Sequence, residues 1–72
     1  MTTDPEDVLH DSVDRDYLRR TLLRTHEWMT TADLAAQCGL TPYRAMHLLE
    51  QLRQSGHVER KQQKNTTSWR AL

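Results

Sequence analysis

Seventy-two residues with no net charge at neutral pH and a single cysteine predict one small domain, without an internal disulfide and without a second core. Every apolar run falls short of the roughly 20 residues that span a bilayer, and the acidic start MTTDPEDVLHD is the reverse of a signal peptide, so a cytoplasmic protein with no membrane partner is expected. The neutral total hides a division: residues 1–16 hold six acids against Arg15, a balance of −5, and residues 17–72 therefore carry +5.

Residues 1–10 lack periodic apolar positions and are expected to form an acidic flexible leader ahead of a folded domain over 11–72. Such a leader serves as a solubilising tail, or else competes intramolecularly for the basic body or contacts a basic partner. From Asp11 or Ser12, either able to cap, Val13, Tyr17, Leu18, Thr21, Leu22 and Thr25 recur at helical spacing and predict a first helix ending near His26. Arg15, Arg19, Arg20 and Arg24 fall mostly elsewhere on its circumference; Arg19, Arg20 and Arg24 read as a solvated face, or else as contacts to flanking phosphates.

Thr30 with Asp33 three places on is close to a capping box, and Leu34, Ala35 and Cys38 give a short second helix its apolar stripe. Trp28 and Met29, just ahead, are too apolar for a free loop and predict a short extended segment under the sheet. Gly39 suits the left-handed conformation that closes a helix, Thr41 can cap the next one, and Pro42 fits a first helical position, where its missing N–H is not needed. A third helix is predicted from about Pro42 to Ser55, with Ala45, Leu48, Leu49 and Leu52 on one face and Tyr43, His47 and Glu50 opposite. Gly56 ends it. Helix, three-residue turn, helix is the spacing of a helix-turn-helix.

After Gly56, HVERK offers one inward Val58, QQKN is a connection of hairpin length, and TTSWRAL alternates around Trp69. Trp69 shares its face with Ala71 alone, or a bulge turns Leu72 inward as well. The expected fold is mainly α with a small β-hairpin: three helices plus a two- or three-stranded antiparallel wing, a winged helix-turn-helix.

Catalysis is not expected. The chain has no Gly-rich phosphate loop and no nucleophile or paired-carboxylate motif, and it is too short for a pocket that excludes water. His10, His26, His47 and His57 have no metal-ligand spacing, so neither metal nor cofactor is expected, and Cys38 reads as a small buried side chain rather than a redox sensor.

The order ADLAAQCGLTPYRAMHLLEQLRQSGHVERK…SWRAL, over about Thr30 to Leu72, resembles the winged-helix superfamily and, within it, the small regulators of fimbrial operons of the PapI, FaeA and PefI type. The resemblance is carried by the small-residue second helix, the LTPYR start of the third, the LLEQL run, the Gly and Val that follow, and the Trp of the last strand. It implies a transcriptional regulator of double-stranded DNA that reads through its third helix, binds weakly alone and acts with a global DNA-bending protein such as the leucine-responsive regulatory protein. It places Thr41, Pro42, Tyr43, Arg44 and His47 on the recognition turn and Lys61, Gln62, Gln63, Lys64 and Asn65 on the wing. The acidic leader and the glycine-free wing RKQQKNTT depart from the family pattern.

In physical terms, a helix fits the major groove, and Arg44 is the expected specificity residue, donating two hydrogen bonds to a guanine edge. Tyr43 and His47 add hydrogen bonds or pack on a thymine methyl, although His47 reads equally well as a solvated residue. Free N–H groups near Thr30, Thr31 and Thr41 suit phosphate oxygens, while Lys61 and Lys64, with Gln62, Gln63 and Asn65 as neutral donors, track the backbone. Neutralising about four phosphates gives a salt slope near −3.6, so a chain expected to be a monomer or weak dimer reaches useful occupancy either by dimerising or by docking beside another DNA-bound protein. The competing reading is a protein docking module whose patch is Tyr43, Met46 and His47.

Overall fold

Two glycines set the corners of the molecule, for which the computed structural model describes the backbone from Pro5 to Leu72 and the side chains from His10 onward. Gly39 has φ 67°, and the pair of bonds Leu40 N–H to Ala35 O (2.9 Å) and Gly39 N–H to Ala36 O (3.4 Å) closes the second helix. Gly56, at φ 80°, repeats the device, with His57 N–H donating to Leu52 O and Gly56 N–H to Arg53 O, both at 3.0 Å. A Cβ at either position would meet nothing within 4 Å, so the backbone angle alone asks for glycine.

Between these corners the chain runs α1 (Pro5–Thr25), β1 (Met29–Thr30), α2 (Thr31–Cys38), α3 (Pro42–Gln54), β2 (Val58–Gln63) and β3 (Thr66–Ala71). Thr30 caps α2, its hydroxyl accepting Asp33 N–H at 3.1 Å, and Thr41 caps α3, accepting Arg44 N–H at 3.2 Å, with Pro42 in the first turn as expected. The sheet is antiparallel in the order β1-β3-β2, the fuller of the two alternatives, with Met29 opposite Trp69 and Thr30 opposite Ser68. Its wing pairs from Val58 with Ala71 to Gln63 with Thr66, so Lys64 and Asn65 form the tip. Lys64 there has φ 53°, a conformation that favours glycine.

Leu18, Leu22, Leu34, Ala35, Ala45, Leu48, Leu49, Leu52, Val58 and Trp69 form the core. Each large side chain in it contributes roughly 1.5–3 kcal/mol by leaving water. Trp69 lies at the centre with no exposed surface; its indole N–H donates to Thr31 Oγ1 at 2.8 Å, and that hydroxyl donates to Thr67 O at 3.3 Å. The polar end of the largest core side chain is thereby satisfied. Ala71 shares the Trp69 face and packs on the core, while Leu72 stays exposed, which settles the question left open at the end of the chain.

The first helix differs from expectation at its start and on its face. It begins at Pro5 rather than Asp11 or Ser12, so residues 5–10 of the expected leader are helical and residues 1–4 lie outside the described residues. A proline in the first turn needs no N–H partner, and acids there complement the helix dipole, which favours the earlier start. Val13 and Tyr17 are 64% and 50% exposed, whereas Leu18, Thr21 and Leu22 are buried. At 100° per residue Val13 and Tyr17 sit about 140° and 100° away from Leu18, too far round to join it.

Candidate nucleic-acid interface

Each capping threonine brings a helix N-terminus to the same side of the molecule. The first turns of α2 and α3 and the tip of the wing enclose an open groove of about 610 Å³, lined by Thr30, Thr31, Ala32, Pro42, Tyr43, Met46, Asn65, Thr66 and Thr67. Five of the expected site residues therefore meet at one concavity. Tyr43 is 88% exposed at its edge, and His47, one turn along α3, is also exposed. Met46, expected only in the docking reading, lines it too, and Ala32, Thr66 and Thr67 line it without having been expected there, because residues far apart in the chain become neighbours through the β1–β3 pairing.

Arg44 is placed differently. It is the third residue of α3, but its guanidinium turns to α1: Nη2 donates to Asp11 Oδ1 at 2.6 Å and to Asp14 Oδ2 at 3.0 Å, and Nε donates to Asp14 Oδ2 at 3.2 Å. The Asp14 hydrogen bonds first, and then that of Asp11, raise the Arg44 pKa above its already high ordinary value. The side chain keeps 38% of its surface exposed, so it stays within reach of solvent while its charge is matched by two carboxylates. The expected specificity residue is thus a half-covered ion-paired group in the free protein.

Further along α3, the Gln51 amide nitrogen lies 3.1 Å from His47 Nε2, and Gln51 Oε1 accepts from Arg15 Nη1 of α1. Gln51 thereby joins His47 to α1.

The remaining site residues divide into held and free. The Thr31 hydroxyl is spent on Trp69 and Thr67, leaving its backbone as the group available to a ligand. Lys61 Nζ lies 4.6 Å from the centre of the Trp28 ring, which Arg70 covers at the same distance. Trp28 thus carries two cations over its ring, and Lys61 is drawn back from the tip. Gln62 belongs to the wing's own bonding, accepting from Thr67 Oγ1 at 2.7 Å and from Arg60 Nη2 at 3.1 Å, and donating to Lys64 O at 3.3 Å. Gln63, Lys64 and Asn65 are exposed at the tip. Elsewhere Arg53 and Arg60 flank Glu50, whose carboxyl is held below the usual carboxylate range chiefly by the Arg53 hydrogen bond, and Arg70 pairs with Glu59. Among the described cations of α3 and the wing, only Lys64 has neither a carboxylate nor an aromatic partner.

Three helices closed by a three-stranded sheet, with two helix N-termini and a hairpin tip around one groove, define a winged helix-turn-helix protein. The sequence profile of the family described as FaeA-like protein matches residues 15–71, and the chain belongs to that family; it is a winged-helix DNA-binding regulator of the FaeA type. Family and fold are those of regulators rather than enzymes. No curated protein matches the chain. Among solved structures it is similar to the Zα domain of Carassius auratus PKZ in complex with Z-DNA, with a TM-score of 0.76 and 17% identity over 88% of this chain and 98% of that one. It is also similar to HOP2, in a structure of its DNA recognition and protein interaction domains, with a TM-score of 0.76 and 19% identity over 82% of this chain and 98% of that one. The antimony-specific transcriptional repressor AntR follows, with a TM-score of 0.68 and 19% identity over 96% of this chain and 68% of that one. At these identities the likeness is one of fold. Among the described residues no helix is long and apolar enough to cross a membrane.

Proposed function

We propose that the chain regulates transcription by setting the start of α3 in the major groove and the wing tip on the phosphate backbone, binding weakly alone and acting beside a partner protein on the same DNA. The observation that carries this reading is the groove itself, where the exposed Tyr43, the N-termini of α2 and α3 and Asn65 at the wing tip all line one concavity. Helix N-termini supply N–H donors and partial positive charge to phosphate, and an α-helix fills the width of the major groove. Tyr43 and His47 are the side chains open to base edges at once, and Arg44 joins them after exchanging Asp11 and Asp14 for DNA.

The weakness follows from the charge pairing. With Arg44 and Arg53 matched by carboxylates and Lys61 stacked on Trp28, few cations are at hand for phosphates, and each phosphate fewer lowers the salt slope by about 0.9. A DNA-bound neighbour supplies the missing affinity as effective concentration. The resemblance to fimbrial regulators points to a global DNA-bending protein of the leucine-responsive type for that role.

The apolar share of the groove, Ala32, Pro42, Tyr43 and Met46, favours a second reading in which the same face docks a protein. One titration separates the two. Duplex DNA added to isotope-labelled protein is expected to shift the amides of residues 41–47 and 63–66 together, in a salt-dependent way. Unmoved amides at these positions, with shifts appearing only on addition of the partner protein, would leave the docking reading standing alone.

A further inference from the structure

Most arginines of this chain are matched by a carboxylate. Arg20, Arg44, Arg53, Arg60 and Arg70 each lie within ion-pair distance of an aspartate or glutamate, whereas Arg15, Arg19 and Arg24 have no such partner among the described residues. Two of those three share one place. Arg15 and Arg19, a turn apart on α1, line an open crevice of about 480 Å³ against the last turns of α3, together with Ser12, Ser55 and His57.

Like charges at this spacing on a helix repel, and nothing in the described chain offsets them. Arg15 donates to the Gln51 amide oxygen, which positions the guanidinium without matching its charge, and Gln51 is steadied in turn by His47. Asp16, the one carboxylate lining the crevice, is bound to Arg20 at 2.9 Å. At the end of α3 the carbonyls of Gln51, Leu52 and Arg53 already accept from the N–H groups of Ser55, His57 and Gly56. Unmatched guanidinium forks beside hydroxyl donors select an oxyanion. One fork satisfies a planar carboxylate, whereas donors arriving from α1, from α3 and from His57 suit a tetrahedral group whose oxygens point several ways.

We infer that this crevice binds a phosphate group, held by Arg15 and Arg19 from one side and by Ser55 and His57 from the other. Phosphate is carried both by small esters and by the DNA backbone. Gln51 lies about 12 Å along α3 from Tyr43, so the crevice is set apart from the groove proposed for DNA, and its ligand is the phosphate ester of a small free molecule. Such a ligand would bridge the same two helices that Arg44 joins through Asp11 and Asp14, giving the regulator a place to take up a chemical signal.

The first arm of the test uses the full chain without DNA, so its failure leaves the proposed reading of the groove untouched. Inorganic phosphate is titrated into isotope-labelled protein, with chloride at equal ionic strength as the reference. Saturable shifts are expected in the Arg15 and Arg19 side-chain Nε–H signals and in the amides of residues 51–57, with a Kd of about millimolar for the bare group. Arg15→Gln and Arg19→Gln are each expected to weaken binding at least about fivefold with the circular dichroism spectrum unchanged, while Arg24→Gln, which removes the same charge elsewhere on α1, leaves it as in the native chain. The second arm follows a duplex in phosphate-free buffer, where Arg15→Gln/Arg19→Gln is expected to keep the native salt slope. The absence of saturable shifts up to about 30 mM phosphate, or an equal loss in Arg24→Gln, would overturn the site. A salt slope flattened by about 0.9 per arginine would overturn the free ligand and set the crevice on the DNA backbone instead.

Discussion

Neutralising the two carboxylates that hold Arg44 is expected to tighten DNA binding and loosen the fold. In Asp11→Asn/Asp14→Asn the contacts of 2.6, 3.0 and 3.2 Å lose their charge, while the chain keeps its shape and its amides can still accept hydrogen bonds. With Arg44 38% exposed and each carboxylate 29% exposed, both pairs belong with surface ion pairs, worth about 0.2–1 kcal/mol each after solvent screening and together about 0.4–2 kcal/mol. If that energy must be given up before Arg44 meets DNA, its removal raises affinity about 2- to 30-fold at 1.4 kcal/mol per factor of ten. The same change lowers the melting temperature by several degrees, since about 1 kcal/mol moves a domain of this size by roughly 4–8 °C. Fluorescence anisotropy of a labelled duplex measures the first effect and thermal melting the second. The gain is expected to be larger at about 50 mM salt than at about 200 mM, because salt weakens the pairs in the native chain as well. Adding Arg44→Ala to the double variant is expected to abolish the gain. Equal or weaker binding by Asp11→Asn/Asp14→Asn would refute the reasoning, showing that the carboxylates stay on Arg44 in the complex and orient it there.

Three further outcomes follow from single residues. Thr31→Val removes the acceptor of the Trp69 indole and leaves a buried N–H unpaired, so urea unfolding should register a loss of about 1–3 kcal/mol despite the near-identical shape. Lys64→Gly relieves a positive φ at the wing tip and should stabilise by about 0.5–1 kcal/mol once glycine's entropy cost is set against the strain; losing one cation should flatten the salt slope of DNA binding by about 0.9. The Cys38 thiol is pushed up by burial more than the Thr21 hydrogen bond pulls it down, so less of it is thiolate at any pH below its pKa, and it should react with a disulfide reagent more slowly at pH 8 than an unfolded peptide cysteine.

Much of the frame was legible because its signals are local. Gly39, Gly56, Thr30, Thr41 and Pro42 each act on the backbone within a turn or two, so residue type and position sufficed to place α2, α3 and their corner. The leucines of α3 kept their period, and its exposed side came with them. The start of α1 was hidden because its first turns carry acids instead of an apolar stripe; Pro5 followed by Glu6 and Asp7 was the available signal, a proline-and-acid start with no hydrophobic partner to draw attention to it. The site was harder. Arg44 met its carboxylates across a long separation in sequence, although Asp11 and Asp14 do fall at helical spacing ahead of the buried Leu18, which places them on the packed side. Lys61 leaned on Trp28 because β3 brings the two outer strands to the same sheet face, a neighbourhood no local pattern records.

The contrast between the two indoles gives the protein a built-in pair of optical channels. Trp69, sealed at the centre, should emit at short wavelength and shift to the red only when the whole domain opens, whereas Trp28, clasped by Lys61 and Arg70 at the surface, should respond to whatever pulls those cations away. Replacing either one by phenylalanine would isolate the other, so unfolding and ligand capture at the wing could be followed by emission from the same unlabelled molecule.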